Sequence, residues 1–298
     1  MADYVQKDTK EFGKTQQKLD YMRMYHDSSL EKMVTKDGTD AHFYTTSASR
    51  AIINGEKFDI NKKKFDEGKF KKFVQDAFTD GVGYYAKTFP TPVKRYHVFL
   101  SDFGRTRRQN STMTLGNTSI VLADVRRWHK YWSNDMSLMA KVIAVHEFTH
   151  IQNYSLDGNE TSNGKEHAAA MVEALAYIHF SSIDSFRKTY RGRMIGIVPH
   201  PKKISSNMPE NSVRRSVIRN LLIGTFDGKY KAKGNHIKAL EALAATALKE
   251  PLDDEEGFDK ALKYSGFTYK GKPLSLETLR AKTVKELNEW YAKRGIKI

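Results

Sequence analysis

Val145-His146-Glu147-Phe148-Thr149-His150 is the stretch on which the reading of this chain turns. It has the form H-E-x-x-H. Residues four apart share one face of an α-helix, so His146 and His150 can grip one metal ion together. Glu147, beside the first histidine, can reach a water on that metal. Two ligands and a base in this order are the layout of a zinc peptidase. The preceding run from Asp135 to Val145 predicts the helix. Leu138, Val142, Val145 and Thr149 recur at helical spacing, as do Met139 and Ile143. Ser133, Asn134 or Asp135 can cap its start. A buried helix seldom presents two imidazoles and a carboxylate without a use for them.

A catalytic zinc takes three protein ligands and leaves one position for water. The third is expected from the next helix, Gly164 to Phe180, which follows a polar loop from Ser155 to Asn163. Glu173 stands there between Val172 and Ala174-Leu175-Ala176. An unpaired carboxylate in such surroundings is costly, and a metal removes the cost. Glu166 and His167 lie nearer the helix start, where polar residues need no metal. His167 and Glu173 are six residues apart and point to different sides of the helix. They compete for the third place, with Glu173 ahead.

These residues resemble the gluzincin clan of zinc metallopeptidases, the thermolysin-like group. There the H-E-x-x-H helix is followed, after about twenty residues, by a second helix carrying a glutamate ligand. Here Glu173 is 23 residues beyond His150, and Val172-Glu173-Ala174-Leu175-Ala176-Tyr177 looks like the E-[GA]-x-A pattern of many members. Tyr96 to Leu100 and Ser119 to Ala123 look like the strands that precede the active helix. The resemblance covers roughly residues 90 to 182 and implies a zincin-like core with one zinc ion. Position 177 is Tyr, where the thermolysin pattern has an Asp that orients a histidine ligand. The SprT-like peptidases are a second resemblance. They place a third histidine about fifteen residues after the motif, which would be His167, although Glu166 replaces their usual glycine. That group acts on proteins crosslinked to DNA.

Composition bounds the rest. The chain has 298 residues, 39% of them hydrophobic and 11% aromatic, enough for a real core. No apolar run approaches the length of a transmembrane helix, and Met1 to Lys7 shows no signal-peptide pattern. A cytoplasmic chain is expected, or one packaged in a virion or delivered as an effector. The absence of cysteine excludes disulfides, thiolate ligands and a cysteine nucleophile. The net charge of +15 favours polyanionic surroundings, nucleic acid or a cell-wall polymer. Its clusters include Lys62-Lys63-Lys64, Lys69 to Lys72, Arg105 to Arg108 and Arg187 to Arg193. No zinc-finger spacing, RNP motif or phosphate loop accompanies them.

The organisation expected is α+β. Residues 1–88 read as a polar, mostly helical N-terminal region. Residues 89–185 read as the zincin-like core of a short mixed sheet, the H-E-x-x-H helix and the second ligand helix. Residues 186–298 read as a basic loop and a helical C-terminal subdomain, with helices over 212–223, 236–249, 255–264 and 275–294. The function expected is peptide-bond hydrolysis on a protein or peptide substrate, with Glu147 as general base. A second electrophile for the oxyanion is sought among Tyr154, His200, Tyr264 and Tyr269. A non-catalytic protein that keeps zinc as a scaffold stays open beside it.

Overall fold

The structure is a computed structural model that describes residues 28–46, 66–101, 110–115, 118–157, 165–190, 210–250 and 252–293. The chain is mixed α+β and divides into two compact units, residues 1–155 and 156–298.

The first unit is built on a five-stranded sheet, in the spatial order β1-β2-β3-β5-β4. Its strands are β1 (Ser28–Lys36), β2 (Thr39–Thr46), β3 (Arg95–Ser101), β4 (Asn110–Leu115) and β5 (Thr118–Asp124). β2, β3 and β5 run parallel, while β1 and β4 close the two edges antiparallel. The strands expected at 96–100 and 119–123 are β3 and β5, paired Tyr96 to Ser119 through Leu100 to Ala123.

Residues 28–46 correct the helical expectation for the N-terminal region. They form a hairpin, turned by Asp37 (φ 51°) and Gly38 (φ 72°). Two left-handed residues in succession make the tight turn whose twist suits paired strands, and Asp-Gly fills it readily. Asp37-Gly38 flanked by alternating apolar positions (Ala41, Phe43) was the available sequence signal.

One face of the sheet carries helices α1 (Glu67–Thr88) and α3 (Ser137–Asp157), with α2 (Val125–Ser133) following β5 directly. Asp66 starts α1 by accepting a bond from Lys69 N at 3.0 Å. Phe78 of α1 meets Phe43 edge-on, and Phe148 of α3 lies 5.0 Å from Tyr96 and 5.3 Å from Tyr85. Burial of such rings supplies most of what holds helix to sheet. α1 and α3 approach closely because position 81 is glycine. A Cβ there would lie 2.8 Å from the carbonyl oxygen of Lys141. Gln152 adds a polar pin: its side-chain amide accepts from Val93 N and donates to Val93 O, both at 3.0 Å.

The second unit is helical. It holds α4 (Glu166–Phe180), a short helical segment ending in a π-helical turn (Phe186–Tyr190), and α5 (Glu210–Phe226). α6 (His236–Lys249) and α7 (Asp254–Tyr264) follow. A hairpin of β6 (Thr268–Tyr269) and β7 (Lys272–Pro273) leads into α8 (Leu276–Ala292). α4 packs against α5, α6 and α7, so it belongs with the C-terminal helices, whereas α1 packs on β1 and β2.

Candidate metal centre

The two histidines of the motif meet because the helix dictates it. His146 and His150 occupy successive turns of α3, and their Nε2 atoms are 3.1 Å apart, with the rings nearly perpendicular. Two nitrogens each about 2.0–2.1 Å from a tetrahedral zinc sit about 3.3 Å from one another. The observed separation fits two ligands of one ion. Around them α3 is apolar: Val142, Ala144, Val145, Phe148 and Ile151 are fully buried. Thr149 returns its hydroxyl to Val145 O at 2.7 Å and so leaves no loose polar group beside the ligands. His150 is buried, while His146 and Glu147 are half-buried. Glu147 follows His146 directly and lies on the neighbouring face of the helix.

The third member of the group is Glu166. Ligand atoms of His146, His150 and Glu166 all lie within 4.8 Å of one another, and the three could hold a metal ion. Among the described residues no other such group occurs. Two imidazoles and one carboxylate are a donor set that suits a divalent metal, zinc among them.

Glu166 is held by its neighbours on both sides. Lys165 is buried, and its ammonium donates to the carbonyls of Leu248 and Glu250 at the end of α6. A cation at a helix C-terminus satisfies orphan carbonyls and suits the helix dipole. On the other side, His167 N donates to Asp254 Oδ1 at 2.8 Å and His167 Nδ1 lies 2.7 Å from Asp254 Oδ2. Asp254 thus caps the start of α4 from a distant point in the chain, where Lys165, the local cap residue, offers no side-chain acceptor. Arg214 approaches the same carboxylate at 3.3 Å, and the His167 ring stacks on Phe258.

The sequence-predicted third ligands stand elsewhere in this network. Glu173 is buried as expected, but its carboxylate faces Arg215 Nη2 at 3.4 Å, so a guanidinium meets the desolvation cost that argued for a metal. His167 is engaged by Asp254. Neither belongs to the group around His146 and His150. No local pattern marks Glu166, since a glutamate in the first turn of a helix is ordinary.

Of the residues considered for the oxyanion, Tyr264 is 73% exposed at the end of α7 and Tyr269 sits in the β6–β7 hairpin among lysines. Tyr154 lies on the last turns of α3, with its side chain outside the described residues, and His200 lies outside them altogether. So do Lys62 to Lys64, Arg105 to Arg108 and Arg191 to Arg193. No helix among the described residues is long and apolar enough to cross a membrane. In comparisons with family models, characterised proteins and solved structures, the chain matches none.

Proposed function

We propose that this chain is a zinc-dependent metallopeptidase of zincin-like construction, with His146, His150 and Glu166 as metal ligands and Glu147 as general base. The observation that carries the reading is the Nε2–Nε2 separation of 3.1 Å in an H-E-x-x-H helix, with a third carboxylate within 4.8 Å. The mixed sheet with an antiparallel edge strand, packed against that helix, supports it.

When bound, zinc supplies a water of lowered pKa and polarises the scissile carbonyl. The rest falls to the chain. Glu147 takes the proton of the attacking water and hands it to the departing amine. Phe148, on the side of the helix away from the two histidines, fixes its rotation by burial. A protein or peptide is the substrate class.

Metal analysis separates the possible ligand sets. Purified wild type should carry one zinc per chain, and Glu166→Gln should carry far less. Zinc retained in Glu166→Gln but lost in Glu173→Gln would restore the thermolysin-like ligand. Loss confined to His167→Ala would favour the SprT-like arrangement. A wild type that holds zinc but cleaves neither casein nor a peptide library would sink the enzymatic reading and leave a zinc scaffold.

A further inference from the structure

The second unit carries a basic patch with a tyrosine at its centre, on the β6–β7 hairpin. Lys282 Nζ sits 3.9 Å from the Tyr269 ring centroid and Lys270 Nζ 5.7 Å. Lys272 is the cross-strand partner of Tyr269. Lys231 joins the hairpin from outside, its backbone bonded to Thr268 in both directions at 2.9 and 3.0 Å. Lys229 lies over Tyr230, whose ring is 5.8 Å from that of Tyr269. Lys229, Lys231, Lys270 and Lys272 are exposed, and Lys282 and Tyr269 half-exposed. Glu286 answers Lys229.

The turn itself carries a second observation. Lys270 has φ 51° and Gly271 φ 76°, the same left-handed pair as Asp37 and Gly38 in the β1–β2 hairpin. The first position of such a turn favours Asn, Asp or Gly, and the β1–β2 hairpin obeys with Asp37. The β6–β7 hairpin puts a lysine there. Its folded structure is thereby strained in exchange for an ammonium at the exposed tip.

We propose that the β6–β7 hairpin is a docking site for single-stranded nucleic acid, in which Lys229, Lys231, Lys270, Lys272 and Lys282 meet phosphates and Tyr269 stacks on a base. Lysines alone would serve any polyanion. A half-exposed ring in their midst adds a surface on which bases stack and on which a wall polymer has nothing to place. The site does not rest on the peptidase reading, and its test needs no metal.

Fluorescence anisotropy of a labelled 12-nucleotide oligo(dT) with the full chain tests it. Affinity should fall with salt, each phosphate contact contributing about 0.7 to the slope of log affinity against log salt. Tyr269→Leu should weaken binding about fivefold or more. Lys270→Asn should lower the slope by about 0.7 while raising the thermal midpoint, because Asn suits the turn better. That opposition of binding and stability is what a merely structural lysine would not give. Unchanged affinity in both variants would overturn the proposal, as would inorganic polyphosphate or duplex DNA competing as well as oligo(dT) does.

Discussion

The turns that carry the candidate metal group are anchored by different physics. α3 is set by apolar contact: Phe148 between Tyr85 and Tyr96, and Val145 against Gly81. Its two histidines then meet by helical geometry alone. α4 is buried along its length against α5, α6 and α7 as well, but its first turn, which carries Glu166, is fixed by charge and hydrogen bonding, where Lys165 caps α6 and Asp254 caps α4. Apolar packing tolerates compensating change, since many residues share the load. A buried polar network does not, because each partner removed leaves another unsatisfied. The two halves of the candidate site should therefore fail in different ways.

The largest expected effect lies in the chemistry on α3. Glu147→Gln should lower peptide hydrolysis by about 10² to 10⁴ with zinc content and melting temperature kept. Full activity in that variant would mean the motif is misread.

On α4 the change that separates the two halves is Asp254→Ala. It strips His167 of its partner and α4 of its cap, and should cost about 3 kcal/mol in urea denaturation. It should also lower zinc affinity, because Glu166 loses the anchor beside it. Stability lost with zinc affinity unchanged would show that Glu166 is not held through the first turn of α4.

Gly81→Ala makes the corresponding break in the packing of α3. With Lys141 O only 2.8 Å from the new methyl group, α1 and α3 must part, at about 1–3 kcal/mol. Both histidines ride on one helix and move together. Zinc content should therefore survive at temperatures where the variant stays folded, and early loss of zinc would show that the third ligand, on α4, no longer reaches the pair.

The smallest effect concerns pH and the far face of the sheet. His97 is held to a pKa of about 4, first by burial, then by its neighbours His42 and Arg95. Unfolded, it takes a proton near 6.5. Between those values the unfolded chain binds more protons, so this contribution is full above about pH 6.5 and is lost as pH falls toward 4. Denaturation at pH 7 and pH 5, with a chelator to remove any metal contribution, should show a drop that His97→Gln diminishes.

Some of this was legible beforehand, and the reason is locality. Short apolar runs, Tyr96 to Leu100 and Ser119 to Ala123, mark strands, because parallel strands buried on both faces read as near-continuous hydrophobic stretches. The four C-terminal helices were equally plain from periodicity and their flanking Gly and Pro. The N-terminal hairpin was missed, though Asp37-Gly38 announces it, because its exposed positions are polar and blur the alternation.

The sequence by itself determined that His146 and His150 face one point with Glu147 beside them, since the 3.6-residue period of a helix requires nothing from outside it. It could not choose the third group. Glu173 looked like a carboxylate in want of a cation, and Arg215, 42 residues on, meets that want. Glu166 looked like an ordinary first-turn residue, and Lys165 and Asp254 hold its surroundings through contacts 83 to 87 residues away. Charges compensate through space and not along the chain, so only the tertiary structure could show that Glu166 lies within reach of the histidines.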